Sequence, residues 1–189
     1  LARDLDRSML YQALSTQCQS GCAERGQPRL FINLSPQEIQ NRGILGYAEE
    51  LCEQLGVPPD RIVFDLLERQ AIEDLPSMRR FLDDLRLKGF AFALDDFGSG
   101  YNSFHYLREL QFEYVKIDGA FVRNILQSQV DWALVENLSR LCSDLGIATI
   151  AEFIESPAIL DAVRTMEVDY VQGFHLSLPT PEIQPPDGT

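Results

Sequence analysis

Short apolar runs alternate with segments of helical periodicity along this chain. The runs are LFIN (30–33), IVFDLL (62–67), FAFAL (90–94), YVKI (114–117), IATIA (147–151) and YVQG (170–173). Unbroken apolar strands separated by helices are the pattern of parallel strands buried on both faces. Between them, Met78, Phe81, Leu82 and Leu85 form one helical stripe, stopped by Gly89. Leu134, Leu138, Leu141 and Leu145 form another, stopped by Gly146. In ESPAILDAV, Ser156 takes an N-cap and Pro157 the first helical position, with Ile159, Leu160 and Val163 facing inward. The stripes read as core.

Repeated strand–helix alternation predicts an α/β fold. An open doubly wound sheet and a (β/α)8 barrel both fit. No G-x-G-x-x-G follows an early strand, which weighs against the dinucleotide-binding sheet. A TIM-like barrel takes eight strands and typically about 250 residues. Six strands in 189 residues fit such a barrel with its first part missing. Residues 1–180 are expected to form one domain, and the proline-rich 181–189 a tail or linker.

Composition narrows the function. The net charge is −13, where a binder of DNA or RNA polymers would usually be basic. No stretch approaches the roughly 18 apolar residues of a membrane helix, and no secretion signal opens the chain. The four cysteines, Cys18, Cys22, Cys52 and Cys142, have no nearby histidine to complete a zinc set. They are expected to be reduced thiols in a cytoplasmic protein.

The chemistry gathers at the strand ends. Asn33 ends the first run, and Asp65 lies near the end of the second with Glu68 beyond it. Asp95 and Asp96 end the third, Lys116 and Asp118 close the fourth, Glu152 ends the fifth with Glu155 after it, and Gln172 sits at the last. A barrel would bring these ends to one face, where active sites are built. Asp65, Asp95, Asp96 and Glu152 would repel one another unless cations sit among them. Hard oxygen donors, with the carbonyl of Asn33, suit Mg²⁺ or Mn²⁺ rather than zinc. Two such ions about 3.5–4 Å apart form the usual clamp for phosphodiester hydrolysis. Lys116, held near cations, is expected to have a lowered pKa and to help activate a water.

The motifs FINLS, DDFGSGYNS, VKID, AEFIE and QGF, in this order, resemble the EAL domain, the bacterial phosphodiesterase of cyclic di-GMP. The resemblance covers nearly the whole chain. It implies metal binding by Asn33, Asp65, Asp95, Asp96 and Glu152, and a water positioned or activated by Lys116 and Gln172, with Glu152 also counted as catalytic. It further implies support of the 97–103 loop by Glu68 and Ser99, and substrate contacts from Asp118 and Glu155. The implied reaction yields linear pGpG. The implied partners are a second copy, through the helix near 103–110, and a sensor or GGDEF domain in a cytoplasmic bacterial signalling protein. Three features depart from the family. The E-A-L tripeptide should lie upstream of Leu1, so one metal ligand and an arginine near the substrate are expected to be absent. Asp65 replaces a glutamate in the strand that normally ends E-x-T-E, and Leu67 replaces the threonine. These departures keep a second reading open, in which the domain binds cyclic di-GMP or a protein without turnover.

Overall fold

A computed structural model of the chain describes residues 2–19, 28–35, 43–68, 75–98 and 103–180. Ser99, Cys22 and the 181–189 tail lie outside these residues. The elements run α1 (Ala2–Gln19), β1 (Leu30–Asn33), α2 (Gly43–Leu55), β2 (Ile62–Leu67), α3 (Leu75–Leu87) and β3 (Ala91–Phe97). Then follow α4 (Ser103–Leu110), β4 (Tyr114–Ile117), the single-turn α5 (Gly119–Val122), α6 (Gln129–Asp144), β5 (Ala148–Ala151), α7 (Pro157–Thr165) and β6 (Tyr170–Val171).

Two compact units divide the chain. One holds the described residues up to Phe64 together with Arg80–Ala91; the other holds Asp65–Arg79 and Phe92–Pro179. In the first, Leu10 and Leu14 of α1 and Ile44, Ala48 and Leu51 of α2 are buried. In the second, β3, β4, β5 and β6 lie side by side in chain order, each pair parallel. The inner strands are buried on both faces, as the apolar runs require: all four residues of β4 are buried, while Tyr170 of β6 is exposed. Parallel neighbours need a crossover, and α6 and α7 supply two of them.

Local signals act where the sequence puts them. Ser156 Oγ accepts from the Ile159 N–H (3.3 Å), with Pro157 at the first turn of α7. Gly89 and Gly146 take φ of 93° and 72° after α3 and α6, a conformation that costs glycine nothing. Met78, Phe81, Leu82 and Leu85 are buried as expected. The stripe of α6 is corrected: its buried face is Val135, Leu138, Ser139 and Cys142, while Leu134 and Leu145 are exposed. Two overlapping faces of this helix are apolar, and the packing neighbours choose between them. On α7, Ile159 and Val163 are buried with Ala162, while Leu160 is only half-buried. Cys52 and Cys142 are free and buried. Among the described residues no helix is long and apolar enough to cross a membrane.

Candidate active site

The second unit gathers most of the strand-end residues. Lys116 projects from buried β4, with Nζ 3.0 Å from Asp65 Oδ2, 3.2 Å from Glu152 Oε1 and 3.8 Å from Asp95 Oδ1. Asp65 is the deepest of these carboxylates, 3% exposed, on the last half of β2. Glu152 follows directly on β5. An ammonium so deep in the fold needs its carboxylates, and they need it.

Adjacent residues of a regular strand point to opposite faces, so Asp95 and Asp96 should not share a site. They do, because β3 carries a bulge. Leu94 pairs with Val115 and Phe97 with Ile117, which leaves one extra residue on β3. Asp96 takes up the extra residue in the left-handed region, φ 56°, which a short polar side chain tolerates. Its N–H donates to Asp95 Oδ1 (3.0 Å). The strand consequently extends to Phe97, past the 90–94 read from the apolar run. The bulge re-aims the carboxylates: oxygens of Asp95, Asp96 and Glu152 lie within 4.8 Å of one another.

Charge in this cluster is unbalanced, since four carboxylates face one ammonium. Burial pushes Asp65 up to about 6, against the opposing pull of Lys116. Glu152 is likewise raised by burial, with Lys116 pulling the other way. For Lys116, burial alone would lower the pKa, but Asp65, Asp95 and Glu152 outweigh it and hold the ammonium above its ordinary range. A divalent cation fits the donors. The three convergent residues offer only oxygen, and Asp65 Oδ1 is buried with no hydrogen-bond partner among the described residues.

The remaining predicted residues distribute around this cluster. Glu68, buried, accepts from the Gly98 N–H (3.1 Å) at the entrance to the 99–102 segment. Asp118 Oδ1 accepts from the Ala120 N–H (2.8 Å) and caps α5. Glu155 lies 3.9 Å from Arg123. Gln172 follows β6; its backbone N–H donates to Ala151 and its carbonyl accepts from Ile154, while its side chain is exposed. Asn33 ends β1 in the first unit and is exposed. Two polar anchors went unread in the sequence. Asp169 accepts from both the N–H (2.7 Å) and Oγ1 (2.9 Å) of Thr149, and Glu113 accepts from the Phe92 N–H (2.8 Å). Single acids in loops carry no periodic signal, so neither was legible.

The chain is similar to several known proteins. The chain is 39% identical over 152 residues to the cyclic di-GMP phosphodiesterase PdeB of Shewanella oneidensis, a match over 80% of the chain and 18% of that protein. It therefore spans less than a fifth of the relative's length. A solved complex of the PaMucR phosphodiesterase with c-di-GMP superposes with a TM-score of 0.89 at 24% identity, over 96% of this chain and 73% of that one. It establishes an α/β, TIM-barrel-like fold. Klebsiella pneumoniae BlrP1, solved with calcium and cyclic di-GMP, matches with a TM-score of 0.82 at 29% identity, over 89% of this chain and 42% of that one. The sequence profile of the EAL domain matches residues 1–179, and the chain belongs to that family.

Proposed function

We propose that this chain hydrolyses cyclic di-GMP to linear pGpG with the help of Mg²⁺ or Mn²⁺ held by its strand-end carboxylates. The observation that carries the reading is the convergence of Asp95, Asp96 and Glu152 within 4.8 Å, beside a buried lysine. Asp95, Asp96 and Glu152 are the metal ligands, and Asp65 turns its unpartnered Oδ1 to the same task. Such ions, when bound, polarise a phosphoryl oxygen and make water acidic enough to attack near neutral pH.

The chain's own residues do the rest. Lys116 holds Asp65, Asp95 and Glu152 in place and limits their repulsion. Were cations held in the cluster, the Lys116 ammonium would be free to hold an attacking water, which Gln172 would help to orient. Glu68 fixes the start of the loop that contains Ser99. Asp118 and Glu155, beyond β4 and β5, face the substrate. The acidic site attracts a dianionic substrate only once metal has reversed its charge. In the whole protein this domain answers a sensor or GGDEF module in the cytoplasm and pairs with a second copy through α4, whose Phe104 is exposed.

A second reading, a receptor without turnover, is favoured by one observation: Asp65 is one methylene shorter than glutamate and is drawn onto Lys116. Calorimetry with Mn²⁺ tests the shared premise. Saturable binding is expected, weakened strongly by Asp95→Asn and by Asp96→Asn. Unchanged binding in both variants would mean the metal site is elsewhere.

A further inference from the structure

Phe153 directly follows Glu152 and occupies the left-handed region, φ 57°. For a bulky aromatic residue this is a true outlier, and glycine would take it at no cost. The backbone on either side dictates it. Glu152 belongs to the carboxylate cluster, and Ile154 is fully buried, its N–H donating to Gln172 O (3.0 Å) and its carbonyl accepting from His175 N–H (3.0 Å). Strain of this kind persists where a site has a use for the side chain.

Phe153 is 40% exposed. It lies against Gly119, where any added Cβ would come within 1.9 Å of its Cδ2. Above it sits Arg123, Cζ 3.8 Å from the ring centroid. Glu155 holds that guanidinium only loosely, at 3.9 Å with both side chains about half exposed, so the ring sets its position. Gly119 and Phe153 stand just beyond the strand ends that carry Lys116 and Glu152. Phe153 therefore lies one residue along the chain from Glu152, and the guanidinium stacked on it is about half exposed in a protein of net charge −13.

We propose that Phe153 and Arg123 form a stacking platform for a purine base of the cyclic dinucleotide, a specificity determinant beside the hydrolytic centre. This rests on the functional reading above. Purines stack on aromatic rings and on guanidinium planes, and one such contact is worth about 5- to 150-fold in affinity. The competing role for Phe153 is to shield Gly119. The two roles predict opposite changes in one variant.

Phe153→Gly relieves the backbone strain. If the ring only shields, its loss lowers the thermal midpoint and leaves nucleotide affinity alone. If the ring is a platform, the midpoint holds or rises while affinity for cyclic di-GMP, measured in Ca²⁺, falls about tenfold or more. Arg123→Ala should weaken binding in the same sense. A cyclic dinucleotide containing 2-aminopurine should be quenched by the parent and not by Phe153→Gly. Binding of Ca²⁺ alone should be the same in all three proteins. Affinity within twofold of the parent in both variants, or a parallel loss of Ca²⁺ binding, overturns the platform while sparing the functional reading. A parent that binds Ca²⁺ but no cyclic dinucleotide overturns both.

Discussion

Replacing Lys116 by methionine puts the electrostatics of the cluster to a quantitative test. Methionine fills much of the lysine's volume but removes the only ammonium within 4 Å of Asp65, Asp95 and Glu152 among the described residues. Each close contact, at 3.0–3.8 Å, is worth about 4–6 kcal/mol at an effective dielectric near 20. Most of that offsets the cost of burying the charges, and breaking such a pair typically destabilises by about 3–5 kcal/mol at neutral pH. The loss should depend on pH. Asp65, already pushed up to about 6 by burial, loses the partner that was holding it down and rises further. A carboxylate whose folded pKa exceeds its unfolded value stabilises the protein when protonated, and that contribution vanishes as pH rises through the folded pKa. The variant should therefore approach the parent near pH 5 and fall farthest behind at pH 8. Urea denaturation followed by circular dichroism from pH 5 to 8 reads this directly. Millimolar Mg²⁺ should rescue the variant more than it stabilises the parent. A deficit that is the same at pH 5 and pH 8, or no deficit at all, would refute the assignment of Lys116 as the shared counter-ion.

Three further outcomes follow from the same geometry. Asp65→Glu should raise Mn²⁺ affinity by calorimetry, since its longer side chain reaches farther into the cluster; a clear loss would show a site adapted to aspartate. Asp169→Ala removes the acceptor for the Thr149 N–H and Oγ1, and should cost about 1–3 kcal/mol in urea denaturation without altering Mn²⁺ binding. Gly173→Ala should be severely destabilising, because an added Cβ meets the Ile154 backbone at 2.3 Å; a soluble variant with the parent's thermal midpoint would count against this close approach.

Much of this architecture can be read from the sequence because parallel strands advertise themselves. LFIN, IVFDLL and YVKI coincide with β1, β2 and β4, and Ser156–Pro157 opens α7 where capping chemistry requires. The acids at the strand ends are equally plain. Their gathering is not. Asp95 and Asp96 share a site only through a bulge and a left-handed turn, and a two-residue period says nothing of an inserted residue. The pairing of Arg123 with Phe153 was hidden for a similar reason. In sequence Phe153 reads as one more apolar residue after a strand, and only the fold reveals it half exposed beneath a cation.

The central claim is that the carboxylate cluster hydrolyses cyclic di-GMP through bound metal. Chromatography of cyclic di-GMP incubated with this chain, in Mn²⁺ and in EDTA, tests it most directly. The account predicts pGpG in Mn²⁺, however slowly formed, none in EDTA, and none with Asp95→Asn. Failure to form pGpG by a chain that binds both Mn²⁺ and cyclic di-GMP, or hydrolysis that survives EDTA or Asp95→Asn, would contradict it.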